Sequence, residues 1–324
     1  MRTREEFDAF LREQIAPKLR AIESRRLAEI DAASVASSWK LACAAAGVVG
    51  YFAAHAWWVG AVLAGLPWGL EAYRKLSASR AMAPLIRGEV LQPAIEFWDP
   101  SFRYQAAGAI LQSEFEASGL FPGEAFNRYS GEDLVSGRCG ATAFRFSELS
   151  VQEVTRRNKQ THTRVVFRGV FFVADFNKEF RGRMVVLPDR AERALGTLGR
   201  AFQSLASAFD SLSLVELENP EFERNFVVRS SDATEARYLL SPSLMQRILH
   251  FHAASGSELR VAFFGGRIWL ALSMSGDRFQ VNALSPLALS DVRRWADELL
   301  FTISIIDELD LNTRIWSKTS APAA

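Results

Sequence analysis

Apolar residues recur at helical spacing from the start of the chain. Phe7, Leu11, Ile15, Leu19, Ile22 and Ile30 stand three, four or eight apart, with Arg12, Glu13, Lys18, Arg20, Glu23 and Arg26 between them. This predicts an amphipathic helix over residues 3–36, with a kink or break at Pro17, whose ring removes a backbone donor. The stripe has to cover something: the chain's own folded part, or alternatively a coiled-coil partner or a membrane surface. Then the alternation stops. Of the 30 residues from Leu41 to Leu70, 23 are hydrophobic and none is Asp, Glu, Lys or Arg.

One straight helix of that length would be about 45 Å long against a hydrocarbon core near 30 Å. It would also place His55, Trp57 and Trp58 near the bilayer centre, whereas tryptophan prefers the interface and imidazole avoids hydrocarbon. Splitting the block at these residues gives a short transmembrane hairpin with arms near 39–54 and 57–73. Trp57 and Trp58 then anchor the turn at the far interface, and Trp39 and Trp68 lie near the other. A single tilted span and a hairpin that does not cross are the alternatives. The flanks favour two spans. Arg25, Arg26 and Lys40 precede the block and Arg74, Lys75, Arg80 and Arg87 follow it, so in a hairpin all of them face the cytoplasm. The expectation is a multi-pass inner-membrane (cytoplasmic membrane) protein with both termini cytoplasmic. It divides into a cytoplasmic helix (1–37), the hairpin (38–73), a cytoplasmic domain (74–312) and a loose tail (313–324).

Beyond the block, helical spacing returns in Glu89–Trp98 and in Ser101–Ser118, separated by Pro100 and stopped by Gly119. From about residue 125 the period changes to two. Phe144–Val151, His162–Phe176 and Gly182–Leu187 read as antiparallel strands joined by polar turns. Pro188–Asp210 reads as a helix with Leu195, Leu198, Phe202, Leu205 and Phe209 on one face and Arg190, Arg193 and Arg200 off it. That face packs on the sheet or rests on anionic lipid or a partner. Leu212–Leu217 and Phe226–Arg229 are strand-like, Asp232 is a cap, and Ser241–Ala254 is a helix. Glu258–Phe264 and Arg267–Ser273 flank Gly265-Gly266 as a hairpin, and Leu289–Leu311 is a closing amphipathic helix. The fold class is α+β, with antiparallel strands covered by helices.

Composition sharpens this only where it is uneven. Hydrophobic residues make up 49% of the 324, but about 46% once the apolar block is set aside, an ordinary value for a globular protein. The net charge is +1, and basic and acidic residues nearly balance after residue 87, so nucleic-acid binding has no electrostatic support. Two cysteines, Cys43 and Cys139, make neither a disulfide framework nor a four-cysteine zinc site. The four histidines, His55, His162, His250 and His252, show no metal-binding spacing; one of the last two is expected to meet carbonyls at its helix end. No nucleophile elbow, phosphate-binding loop or dinucleotide fingerprint is present. No cofactor, metal or catalytic residue is therefore predicted. Glu132 and Asp133 read as helix-capping acids, and Asp307, Glu308 and Asp310 as a solvated face.

Four stretches in order carry a family resemblance: PKLRAIESRR (Pro17–Arg26) followed by the paired apolar segment, YSGEDLVSGRCG (Tyr129–Gly140), FRGVFFVADFNKEFRG (Phe167–Gly182) and LENPEFERNFVVRSSDATEARYLLSPSLMQRIL (Leu217–Leu249). Together they resemble the bacterial membrane proteins of domain-of-unknown-function family 3137. The resemblance implies a bacterial membrane protein with a cytoplasmic α+β domain and brings no activity, cofactor or site residue with it. The leading expectation is a membrane-anchored binding or scaffolding protein, in contact with lipid and with protein partners or further copies of itself. One alternative is a membrane-associated enzyme assembled only in the fold, with Glu132, Asp133 and Cys139 as its candidates. Another is an oligomeric transport or channel component.

Overall fold

The first helix begins where Thr3 caps it. The Thr3 hydroxyl accepts from the Glu6 N–H at 3.2 Å, and the Glu6 carboxylate accepts from the Thr3 N–H at 2.7 Å, closing a capping box. The computed structural model describes residues 2–33, 37–54, 65, 68–73, 77, 84–157, 160–176, 180–189, 211–274 and 288–311. The chain divides into two compact units, Met1–Trp98 with Gln280–Ala296 and Asp99–Phe279 with Asp297–Ala324.

In the first unit the helix runs through Arg4–Phe10, a π-helical turn over Leu11–Ile15, and Ala16–Ala33. The interruption expected at Pro17 takes the form of that wider turn. Pro17 has no N–H for the Glu13 carbonyl, and the Ala16 N–H reaches back five residues to the Leu11 carbonyl. Phe7, Leu11, Ile15, Leu19 and Ile22 are buried, so the apolar stripe covers the chain's own unit. The Phe7 ring lies 5.4 Å from Phe97 and 4.8 Å from Trp98, Phe10 stacks on Phe97 at 4.6 Å, and the Arg2 guanidinium sits 4.5 Å over Phe97. Asp8 pairs with Arg293 at 2.9 Å. Ser37–Ala54 is an 18-residue helix, and residues 68–73 are helical. The central turn of the expected hairpin, with His55, Trp57 and Trp58, lies outside the described residues. Among the described residues, no helix is long and apolar enough to cross a membrane.

The second unit is built on one antiparallel sheet. Among the described residues its strands are β1 (Arg103–Gln105), β2 (Arg128–Cys139), β3 (Thr142–Arg157), β4 (Gln160–Asp175), β5 (Met184–Pro188), β6 (Ser213–Leu214), β7 (Phe226–Ser230), β8 (Leu259–Phe264) and β9 (Arg267–Ser273). Their order across the sheet is β1-β2-β3-β4-β9-β8-β5-β7-β6. The β8–β9 turn is the expected glycine pair, with Gly265 at φ 60° and Gly266 at φ 67°, the geometry that two-residue hairpins favour. Asp232 caps Ala233–Leu239 by accepting from the N–H groups of Thr234 and Glu235, and Ser241 caps Pro242–Ser255. In the last helix, Leu289–Glu308, Trp295, Leu299, Ile303 and Ile306 are buried, as their spacing predicts.

Three expectations are corrected. Ser101–Ser118 is not one helix: Arg103–Gln105 pairs with β2, and the helix is confined to Gln112–Ser118. Extended backbone lets Tyr104 point inward between exposed Arg103 and Gln105, where its hydroxyl donates to Asp133 Oδ1 at 2.5 Å. Glu132 and Asp133 cap no helix. They lie in β2 at a bulge between Glu132 and Val135, with Asp133 at φ 59°. Finally, the expected Leu212–Leu217 strand is short: Ser213 and Leu214 pair in register with β7, and the Val215 N–H donates to the Val228 carbonyl at 2.9 Å.

β4 explains why the sheet is covered on both sides. Phe167, Phe171 and Val173 point to one face, where they join Phe115, Leu149, Val151, Val185 and Trp269. Phe172, on the opposite face, forms a stack with Phe144 and Phe146 at 6.2 and 6.4 Å. Both sets are buried. Phe171→Ala removes a ring that meets Phe115, Phe167 and Trp269. It should cost about 3–5 kcal/mol, whereas losing the Asp232 cap in Asp232→Ala should cost about 1 kcal/mol. Urea unfolding of the two variants checks the ranking.

Candidate functional site

The helix Gln112–Ser118 ends at Gly119, whose φ of 65° continues the chain into a Phe121-Pro122-Gly123 turn. Ser118 stabilises this exit twice: its hydroxyl donates to the Phe115 carbonyl at 2.6 Å and accepts from the Leu120 N–H at 3.2 Å. Phe115 points onto the sheet, 5.3 Å from Phe171. Phe121 stacks against it at 4.9 Å, and Phe126 meets its edge at 5.8 Å.

Two arginines fasten this exit from the sheet side. Arg260 of β8 lies 4.4 Å over the Phe121 ring and donates to the Leu120 carbonyl at 2.9 Å. Arg183, just before β5, lies 4.7 Å over the Phe264 ring and donates to the Ala117 carbonyl. Cations are favourable at the carbonyl end of a helix. A Cβ at Gly119 would come 3.0 Å from Arg183 Nη2, the far end of a flexible side chain, so the positive φ is what favours glycine there.

Beside Arg183 opens a cavity of about 510 Å³, within the range of about 300–1,000 Å³ usual for ligand pockets. Phe115, Phe121 and Phe126 form its aromatic wall, and Glu116 and Glu124 are on its rim. Glu124 is neutralised by Arg164 at 2.5 Å, and Glu116 accepts from Gln112 at 2.8 Å. Arg183 is half-buried, and burial lowers its pKa from the ordinary arginine value. Among the described residues no carboxylate pairs with it. A smaller depression of about 270 Å³ lies across β2–β4, where Glu132 and Glu148 are register partners near Arg168, Ser130 and Ser150.

The residues singled out from sequence do not converge. Glu132 lies at the smaller depression, Asp133 is buried against Tyr104, and Cys139 is buried at the far end of β2 opposite Thr142. Seven residues of strand, about 23 Å at 3.3 Å per residue, separate Cys139 from Glu132. Trp39 and Trp68 are exposed, whereas Trp57, Trp58, Leu195, Leu198, Phe202, Leu205 and Phe209 lie outside the described residues. His252 Nδ1 is 3.0 Å from the Ser257 carbonyl, just past its helix, and its ring packs on Phe226. Arg247 donates to the carbonyls of Asp307 and Glu308. Among the described residues, no group of three or more His, Cys, Asp or Glu could hold a metal ion. Sequence reading missed Arg183, Arg260 and the aromatic wall. The local signal was the Phe-Pro-Gly turn after Gly119, with Phe126 close behind.

Tyr129 beneath this wall donates to the Ile110 carbonyl at 2.7 Å. Burial foremost, then the charges of Glu114 and Glu116, raise its phenol pKa well above the ordinary 10.0. The unfolded chain therefore releases this proton first as pH rises. The stability it contributes is full below pH 10 and is lost above it. Tyr129→Phe should cost about 1 kcal/mol near neutrality, and the gap from the parent protein should hold up to about pH 10 and narrow progressively above it. Urea unfolding across that range measures it.

Residues 165–311 match the family described as "Protein of unknown function (DUF3137)". No curated protein matches the chain. Among solved structures, the crystal structure of the mycobacterial trehalose monomycolate transport factor A, TtfA, is similar at 13% identity. The match covers 65% of this chain and 95% of that one, with a TM-score of 0.31. At that TM-score the likeness says nothing of role. The matched stretch runs from within β4 to just past the last helix.

Proposed function

We propose that this protein is a membrane-anchored binding or scaffolding module, held to the bilayer through its first unit and presenting its second to the cytoplasm. The observation that carries this reading is where apolar side chains are left exposed. Trp39 is 67% exposed, Leu41 71% and Tyr73 70%, and Val48, Trp68 and Leu70 are exposed as well. Six of the eleven large exposed apolar side chains among the described residues thus fall in one short stretch that carries no charge between Leu41 and Leu70. Water would penalise such a cluster, and hydrocarbon would not.

The helix Ser37–Ala54 is about 27 Å long at 1.5 Å per residue. Trp39 and Trp68 suit the interface, and the basic residues on both flanks favour a hairpin with both termini cytoplasmic. Lipid is then one partner, and a protein partner or a second copy engages the other unit. The binding reading for that unit rests on a cavity framed by aromatic rings and an arginine, with Glu132, Asp133 and Cys139 dispersed rather than gathered.

Alkaline carbonate extraction should leave the full-length protein in the membrane pellet, and Val48→Lys should lower the retained fraction several-fold. Reporters fused to the two ends should both read as cytoplasmic. Release into the supernatant would overturn the anchor, and ends in opposite compartments would overturn the hairpin.

A further inference from the structure

Arg183 presents an imbalance that the fold itself does not resolve. A guanidinium has five N–H donors in a planar fork and keeps its charge at any physiological pH. Arg183 gives one hydrogen bond to the Ala117 carbonyl and lays one face on Phe264. It is half-buried, and among the described residues no carboxylate faces it, in contrast to Arg145, Arg164 and Arg260, which pair with Glu114, Glu124 and Glu258. Removing a cation from water without a counter-charge is costly, and an anion supplied by a ligand would offset that cost.

The surroundings define the rest of the ligand. The cavity of about 510 Å³ beside Arg183 is walled by Phe115, Phe121 and Phe126, rings that favour a flat apolar body. Its acidic rim does not exclude an anion: Glu124 is already paired with Arg164, and Glu116 is exposed and screened by water.

We propose that this cavity binds a small organic anion, a carboxylate or phosphate monoester on a planar apolar body. The anionic group pairs with Arg183, and the body lies against Phe115, Phe121 and Phe126. Arg183 is pre-positioned by its bond to Ala117 and its stacking on Phe264, so little side-chain freedom is lost when the ligand arrives. This rests on reading the second unit as a binding module and not on the membrane anchor.

The test is calorimetric titration of the full-length protein in detergent with 1-naphthoate, 1-naphthyl phosphate and uncharged 1-naphthylmethanol. At least one anion should bind at one site per chain, and the alcohol at least tenfold more weakly; which anion binds tells carboxylate from phosphate recognition. Arg183→Gln should weaken binding tenfold or more, and Arg183→Lys should retain most of it. Ala125→Trp fills the cavity from an exposed position without touching the core and should also abolish uptake while leaving the melting temperature unchanged. The proposal is overturned if neither anion binds, if the alcohol binds equally well, or if Ala125→Trp leaves binding intact. Each of these outcomes leaves the carbonate-extraction result standing, so the site and the anchor fail separately.

Discussion

The second unit depends on one constraint: β4 is apolar on both sides. A strand that puts Phe167 and Phe171 on one face and Val170 and Phe172 on the other cannot lie at a solvent-facing surface. Its sheet has to be covered twice. On one face the cover is the short helix Gln112–Ser118, whose Phe115 reaches Phe167 and Phe171. On the other, Phe226 of β7 meets His252 of the helix Pro242–Ser255, which in turn meets the last helix through Phe251 and Phe301. The outer strands are correspondingly short, three residues in β1 and two in β6, which limits edge-to-edge pairing with another sheet.

The cavity follows from how thin one of those covers is. Among the described residues, the seven-residue helix is continued on this face by the loop that follows it. A loop exposes carbonyls that need partners, and Arg183 and Arg260 supply them from the sheet side. Stacking each guanidinium on a ring fixes its direction and shields it from water. The same arrangement that closes the loop therefore leaves a cation beside an aromatic hollow.

How much of this could be read in the sequence depended on how local each signal was. The N-terminal stripe, the Gly265-Gly266 turn, the Asp232 cap and the last helix are all short-range patterns, and each is seen in the structure. β2 carries glycines, Gly131 and Gly137, which weaken a strand pattern. In the sheet they are needed for space: a Cβ at Gly131 would come 2.5 Å from Leu149, and one at Gly137 would come 2.5 Å from Phe102. Tyr104 was hidden for a related reason, since its extended backbone pairs with β2 and its hydroxyl meets Asp133, 29 residues away. The cavity joins Phe115–Phe126 to Arg183 and Leu212, and no local pattern links such distant segments.

The first unit leaves apolar side chains exposed between Trp39 and Tyr73, and the second holds a covered core with a cation-edged hollow beside Arg183. That division stands or falls on what surrounds Ser37–Ala54. Cys43 offers a native probe within that helix, half-exposed, while Cys139 is buried. A nitroxide attached to Cys43 in full-length protein reconstituted into lipid vesicles can be read by its collisions with oxygen and with a water-soluble nickel chelate. Oxygen access well above nickel access is the predicted result. Nickel access equal to or above that of oxygen would contradict the account.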